Sequence, residues 1–253
     1  MYYFTCADQF EDKMCCIYAA WEKALTAGHD NVELLIEPVG QQTFFDEYIH
    51  VEHEEKKYQS VVSTIVRKTS RNVLYQIQYV SLSCEKDALD AIYRFLRKAF
   101  QIGPAILEHL GEPEVMRFFE LRRNVGNEAH YFLEFARFTH MDGDVFVCHL
   151  EPRSNVLTIV GNHFADRMPS EHFMIIDDNR MLAVVHPKNG ENYLRILSGE
   201  EMELLRKTES KEDEYTELWR LFVKTIAIKE RENKNCQRNM MRLWMRKHAT
   251  EFL

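Results

Sequence analysis

The period of apolar and polar positions changes several times between Pro113 and Asp178, and each change marks an element. From Pro113 to Leu133 the period is helical: Phe118, Leu121, Val125, Ala129, Phe132, Leu133 and Ala136 share one sector of roughly 120–140°, a core-facing stripe. Arg122 and Gly126 fall inside that sector. Alternation then predicts strands over Phe135–His140 and Val145–Leu150, joined at Asp142-Gly143, a strong hairpin signal. Ser154 or Asn155 caps a second helix whose apolar face is Val156, Ile159, Val160 and Phe164, with His163 and Arg167 on the same face. Strands over Phe173–Asp177, Arg180–His186 and Asn192–Ile196 follow, the first two around a tight turn at Asp178-Asn179. Two helices thus direct ionisable groups inward. An unpaired buried charge is so unfavourable that these groups are expected in pairs or around a polar cavity.

The preceding half reads as a strand over Tyr2–Cys6, then a helix capped by Asp8 that runs to about Ala27 and stops at Gly28. Val32–Glu37 is a strand closed by Pro38 and Gly40, and Phe44–Val51 holds another short one. Helices are expected over His53–Thr69, Asn72–Leu82 and Lys86–Ile102, making this half a helical wrapping layer. Gly199 to Glu214 reads as a helix and a charged loop. A helix from Glu214 to about Asn233 carries the stripe Leu218, Trp219, Phe222, Val223 and Ile226, and a final short helix spans the end. The expected fold is α+β, with helical layers around an antiparallel sheet of about four strands. It is read as one domain, residues 1–253, with a helix-rich part (about 1–110), a motif-bearing core (about 111–197) and basic C-terminal helices (about 199–253).

Charge changes this picture. The 253-residue chain has a net charge of −8, yet from Trp219 onward Lys and Arg number 9 against 3 acids. That +6 leaves −14 for the rest of the chain, so a basic tail follows an acidic body. Six cysteines form no C-x-x-C pair, which argues against a zinc ribbon or an iron–sulfur cluster, and no cofactor is expected in this chain. No secretory leader and no membrane-length apolar run is visible, so a reducing cytoplasm is the expected location, with no membrane partner.

The words FFELRRNVGNEAHYFLEFARF, EPRSNVLTIVGNHFADRMPSEHFMIIDDNR and LWRLFVKTIAIKERENKNCQRNMMRLWMRKHATEF resemble a family of bacterial DNA-metabolism proteins. Members are typically encoded beside a radical-SAM protein assigned to DNA modification or repair, and a similar domain is fused elsewhere to a uracil-DNA-glycosylase-like domain. The resemblance covers nearly the whole chain and is most specific from Arg117 onward. It implies a role in DNA repair or modification and assigns no reaction. A chain lacking C-x-x-x-C-x-x-C leaves radical chemistry to the neighbour.

Candidate chemistry falls in three places. Arg122, His163 and Arg167, with Glu128, Asp166 and Asp177 as counter-ions, form either an anion or nucleotide pocket or an ion-pair network bracing two helices. Arg123 shares the opposite, solvated face of its helix with Asn127, His130 and Glu134. Arg238, Arg242, Arg246 and Lys247 are the strongest phosphate-binding candidates, with Trp244 stacking on an unpaired base or packing inward. No histidine pair has metal-site spacing, and no P-loop, G-x-G-x-x-G or nucleophile elbow is present, so no metal is expected. Strand alternation sends Cys148 and His149 to opposite faces and excludes a dyad between them.

The leading expectation is an accessory protein of DNA repair or modification that binds DNA and a radical-SAM partner. The alternative is a DNA-acting hydrolase (nuclease, glycosylase or phosphoesterase) using His163 with Asp166 or Asp177 as acid and base. A protein-binding scaffold without DNA contact is the third.

Overall fold

The computed structural model describes residues 1–40, 43, 45–141, 143–208 and 214–249. Its contacts divide into two compact units, Met1–Gly126 and Asn127–Leu253.

The first unit contains β1 (Tyr2–Cys6), α1 (Phe10–Ala27), β2 (Val32–Ile36), β3 (Glu47–His50), α2 (Glu55–Lys68), α3 (Arg71–Val80), α4 (Ala88–Ile102) and the start of α5 (Pro113–Phe135). The expected wrapping layer therefore has a sheet of its own. Its order is β2-β1-β3 with both pairings parallel, so Phe4 stands beside Leu34 on one side and Ile49 on the other. Parallel neighbours need a crossover, which α1 supplies between β1 and β2. Met14, Ile17, Ala20 and Ala24 are the buried side of α1, and Leu89, Ile92, Phe95 and Leu96 that of α4. Phe95 stacks on Phe118 at 3.9 Å between ring centroids.

Asp8 is not the cap of α1; Gln9 holds that position and makes no side-chain cap bond. Asp8 instead pairs at 2.5 Å with Lys13, a buried ammonium that also donates to the Ser81 carbonyl. Desolvation of Lys13 demands a counter-charge more strongly than the helix end demands a cap. Gly28 stops α1 in the left-handed region, φ 87°.

The second unit contains the rest of α5, then β4 (Thr139–Met141), β5 (Val145–Leu150), α6 (Leu157–Arg167), β6 (His172–Asp177), β7 (Leu182–His186), β8 (Tyr193–Ile196), α7 (Gly199–Thr208), α8 (Glu214–Ile226) and α9 (Lys234–Met240). A short 3-10 turn, Leu243–Arg246, follows. The sheet has five strands in sequential order, not four, and it is mixed: β5 and β6 are parallel, the remaining pairs antiparallel. The reason is α6. A helix between two neighbouring strands returns the chain to the same end of the sheet, so the second strand must run alongside the first.

Helix α6 lies close on β7 through Gly161, where a Cβ would come within 2.6 Å of Val184 Cγ1. Phe138 packs edge-on against Phe164 and Phe173. A second cluster, Val147, Ile176, Ala183, Leu197 and Met202, includes a side chain of α7. In the hairpin between β4 and β5, Gly143 and Asp144 are left-handed; Asp142 lies outside the described residues. So do Phe44, Thr250–Leu253 of the expected last helix, and 209–213 of the expected charged loop. The long helix expected from Glu214 to Asn233 ends at Ile226, and the last one breaks at Met241. No helix among the described residues is long and apolar enough to cross a membrane.

Candidate functional site at the strand ends

Because β5 and β6 are parallel, their carboxyl ends lie side by side, with Leu150 opposite Asp177. The crevice beyond such ends is where open α/β sheets place ligands. Glu151-Pro152-Arg153-Ser154 leaves one strand and Asp178-Asn179-Arg180 the other.

Asp177 ties these two loops together. Fully buried, it accepts from the backbone N–H groups of Asn179 and Arg180 and from Arg180 Nη1 at 2.8 Å. The same guanidinium donates to the carbonyls of Pro152 and Arg153, and Asn179 Nδ2 also reaches Pro152. Burial raises the Asp177 carboxyl above its usual range while Arg180 pulls it down. From α5, Glu128 accepts the N–H groups of Arg153 and Ser154 at 2.6 and 3.1 Å. Glu128 therefore holds this loop instead of serving as counter-ion to Arg122.

Further ionisable groups gather beside this frame. His149 Nδ1 stands 2.7 Å from Asp178 Oδ1, the side chains being 7% and 5% exposed. With Asp178 ionised, its carboxylate can only accept, and Nδ1 is then the donor. From the C-terminal segment, His248 places Nε2 3.4 Å from Glu151 Oε1 and 3.7 Å from Asp178 Oδ2. Lys247 pairs with Glu151. Burial pushes His248 below the ordinary imidazole pKa, against the opposing pull of Asp178 and Glu151. One ligand atom each from Glu151, Asp178 and His248 lies within 4.8 Å of the others. A small cavity of about 10 Å³ adjoins Glu151 and His248 on the side of His149 and Trp244, and Asp178 does not line it. That is room for about one water, far too little for a base.

Of the residues singled out in the sequence, Asp177, Glu128 and Lys247 are here, whereas His163, Asp166, Arg167, Arg122 and Arg123 are not. His163, Asp166 and Arg167 are exposed on α6, whose buried side is Leu157, Val160, Gly161 and Phe164. The inward placement expected for His163 and Arg167 is thus corrected: Gly161 belongs to the buried face but adds nothing to a hydrophobic pattern, so the apparent face was rotated. Among the described residues His163 makes a ring contact with Phe164 and no hydrogen bond to Asp166 or Asp177. Arg122 is half-buried in the first unit, donating to Gln76 Oε1 at 3.0 Å and lying over the Tyr79 ring. With exposed Arg123 it lines an open groove of about 690 Å³. Arg238 and Arg242 are exposed, and Arg246 Nε donates to the Met241 carbonyl. Trp244 is packed, edge-on to Phe132 and 4.6 Å from the Arg153 guanidinium.

His149, Glu151, Asp178 and His248 were not among the expected site residues. Glu151, Asp178 and His248 had one signal: each sits within the words EPRS, DDNR and RKHATEF that carry the family resemblance, and His149 lies two residues before the first. The family described as a domain of unknown function, DUF4130, matches residues 86–251, a span that includes all four. No curated protein and no solved structure matches the chain.

Proposed function

The chain belongs to the DUF4130 family, and we propose that it is an accessory protein of DNA repair or modification that binds DNA through its basic C-terminal segment. One observation carries the reading. Between Lys229 and Lys247 there are seven Lys and Arg against two acids, and Lys229, Arg231, Lys234, Arg238 and Arg242 are all exposed. On an acidic chain, this is where a phosphate backbone meets favourable potential. Arg123, exposed beside the groove that Arg122 lines, offers a further guanidinium.

The radical-SAM partner follows from the family resemblance, and α8 supports a protein partner. Its large apolar side chains Leu218, Leu221, Phe222 and Ile226 are exposed among the described residues. The reducing cytoplasm is the compartment where the two proteins would meet DNA.

Fluorescence anisotropy with single- and double-stranded oligonucleotides across a salt series tests the proposal. The affinity should fall steeply with salt. The double variant Arg238→Ala/Arg242→Ala should reduce the log–log slope by about 2. No binding at low salt, alone or with the radical-SAM protein, leaves the scaffold reading in its place.

The hydrolase reading gains one specific observation, the buried His149–Asp178 couple beside His248. It predicts turnover of nicked or abasic oligonucleotides that His248→Ala abolishes. Dependence on His163 instead would restore the exposed α6 face, with Asp166, as the acid–base site.

A further inference from the structure

We propose that Glu151, Asp178 and His248 form a binding site for one first-row divalent metal ion, with His149 as the group that orients Asp178. The inference is independent of DNA binding and stands on geometry. Two ligands about 2.1 Å from one ion, at angles of roughly 110–125°, are about 3.4–3.7 Å apart. His248 Nε2 shows these separations from Glu151 Oε1, 3.4 Å, and Asp178 Oδ2, 3.7 Å. The first is a long hydrogen bond and the second too long for one, whereas both separations suit a shared ion.

The surroundings agree. Asp178 uses Oδ1 for the His149 N–H and turns Oδ2 toward His248, the division of labour expected of a ligating carboxylate fixed by an outer neighbour. His149 is itself buried, so the orienting group is held by packing. The three ligand atoms lie within 4.8 Å of one another, close enough to share a single ion. Two carboxylates and one imidazole select Mn²⁺, Fe²⁺ or Zn²⁺, because imidazole disfavours Mg²⁺ while the carboxylates still suit a hard ion. Three protein ligands leave a further coordination position for water.

Lys247 is the competitor. Its ammonium pairs with Glu151, and an arriving cation would displace it. The site escapes motif inspection because its ligands come from the end of β5, the turn after β6 and the C-terminal segment.

The test is isothermal titration of the chelator-treated full chain with Mn²⁺ and Zn²⁺, with Mg²⁺ for comparison, supported by electron paramagnetic resonance of bound Mn²⁺. The expected result is one Mn²⁺ or Zn²⁺ per chain, with Mg²⁺ at least tenfold weaker. Glu151→Gln and His248→Ala each weaken binding at least tenfold, and Lys247→Ala tightens it or leaves it unchanged. Both ligand variants alter side chains that are not fully buried, and circular dichroism checks their folding; Asp178→Asn, in the buried couple, is not needed. Absence of stoichiometric binding by either ion overturns the proposal. So does binding that survives either ligand variant, which would assign it to other histidines, or a loss of affinity in Lys247→Ala.

Discussion

Each unit has a histidine–carboxylate couple at the carboxyl ends of parallel strands, and the two couples differ in depth. In the first, His50 at the end of β3 pairs at 2.6 Å with Glu37 just beyond β2, and Thr5 of the intervening β1 donates to the same Glu37 oxygen. Their side chains are 53% and 36% exposed. In the second, His149 and Asp178 are 7% and 5% exposed. At the surface, partner bonding sets the shifts: Glu37 is lowered by Thr5 and His50, and His50 is raised by Glu37. Beside the buried couple, burial raises the fully enclosed Asp177 despite Arg180, and half-buried His248 is lowered despite two carboxylates. Similar residue types at similar positions thus form an exposed ion pair in one sheet and a buried couple in the other, and depth is what separates them.

The largest effect expected from that difference is on stability. Asp178→Ala removes one member of a buried pair and leaves a dehydrated imidazole behind, which should lower the unfolding free energy by about 3 kcal/mol. His50→Ala, at the surface couple, should leave it within experimental error. Urea unfolding of the metal-free variants compares them directly, and equal losses would break the distinction by depth.

A smaller loss comes from the contact that holds α6 on its sheet. Gly161→Ala places a methyl 2.6 Å from Val184 Cγ1, so overpacking should destabilise by about 1–3 kcal/mol. The penalty should shrink in a Val184→Ala background. An unchanged penalty in that background would mean that the close approach is not its source.

Gly161 also explains how far the sequence could be read. Elements with strong period or sharp punctuation were legible: Tyr2–Cys6 and Val145–Leu150 form as expected, and β6, β7 and β8 lie within two residues of their expected bounds. The mixed α and β content was legible too. Strand pairing was not, because β5 and β6 are parallel only through the helix between them, and the pattern of each strand is the same in either orientation. On α6 a buried glycine is silent in hydrophobicity, so the face was misplaced and His163 was read as internal. The candidate site was dispersed: Glu151 and His248 are 97 residues apart, and Asp178 looked fully explained by its turn. Only the words of the family resemblance touched all parts of it.

The last effect is a titration at the surface couple, and its sign is fixed at both ends. His50 gains a bond to Glu37 on folding and its pKa rises, so this contribution is complete below about pH 6.5 and is lost as pH climbs through the raised value. Glu37 has a lowered pKa, so its contribution is complete above about pH 4.3 and is lost as pH falls through the lowered value. The couple therefore supports the fold most between those limits and weakens on both sides. In an NMR titration the His50 ring should change above the ordinary imidazole midpoint, and Glu37→Gln should return it toward that midpoint. A His50 midpoint unmoved by Glu37→Gln would mean that the carboxylate does not set it, and the surface couple would no longer be the partner-controlled counterpart of the buried one.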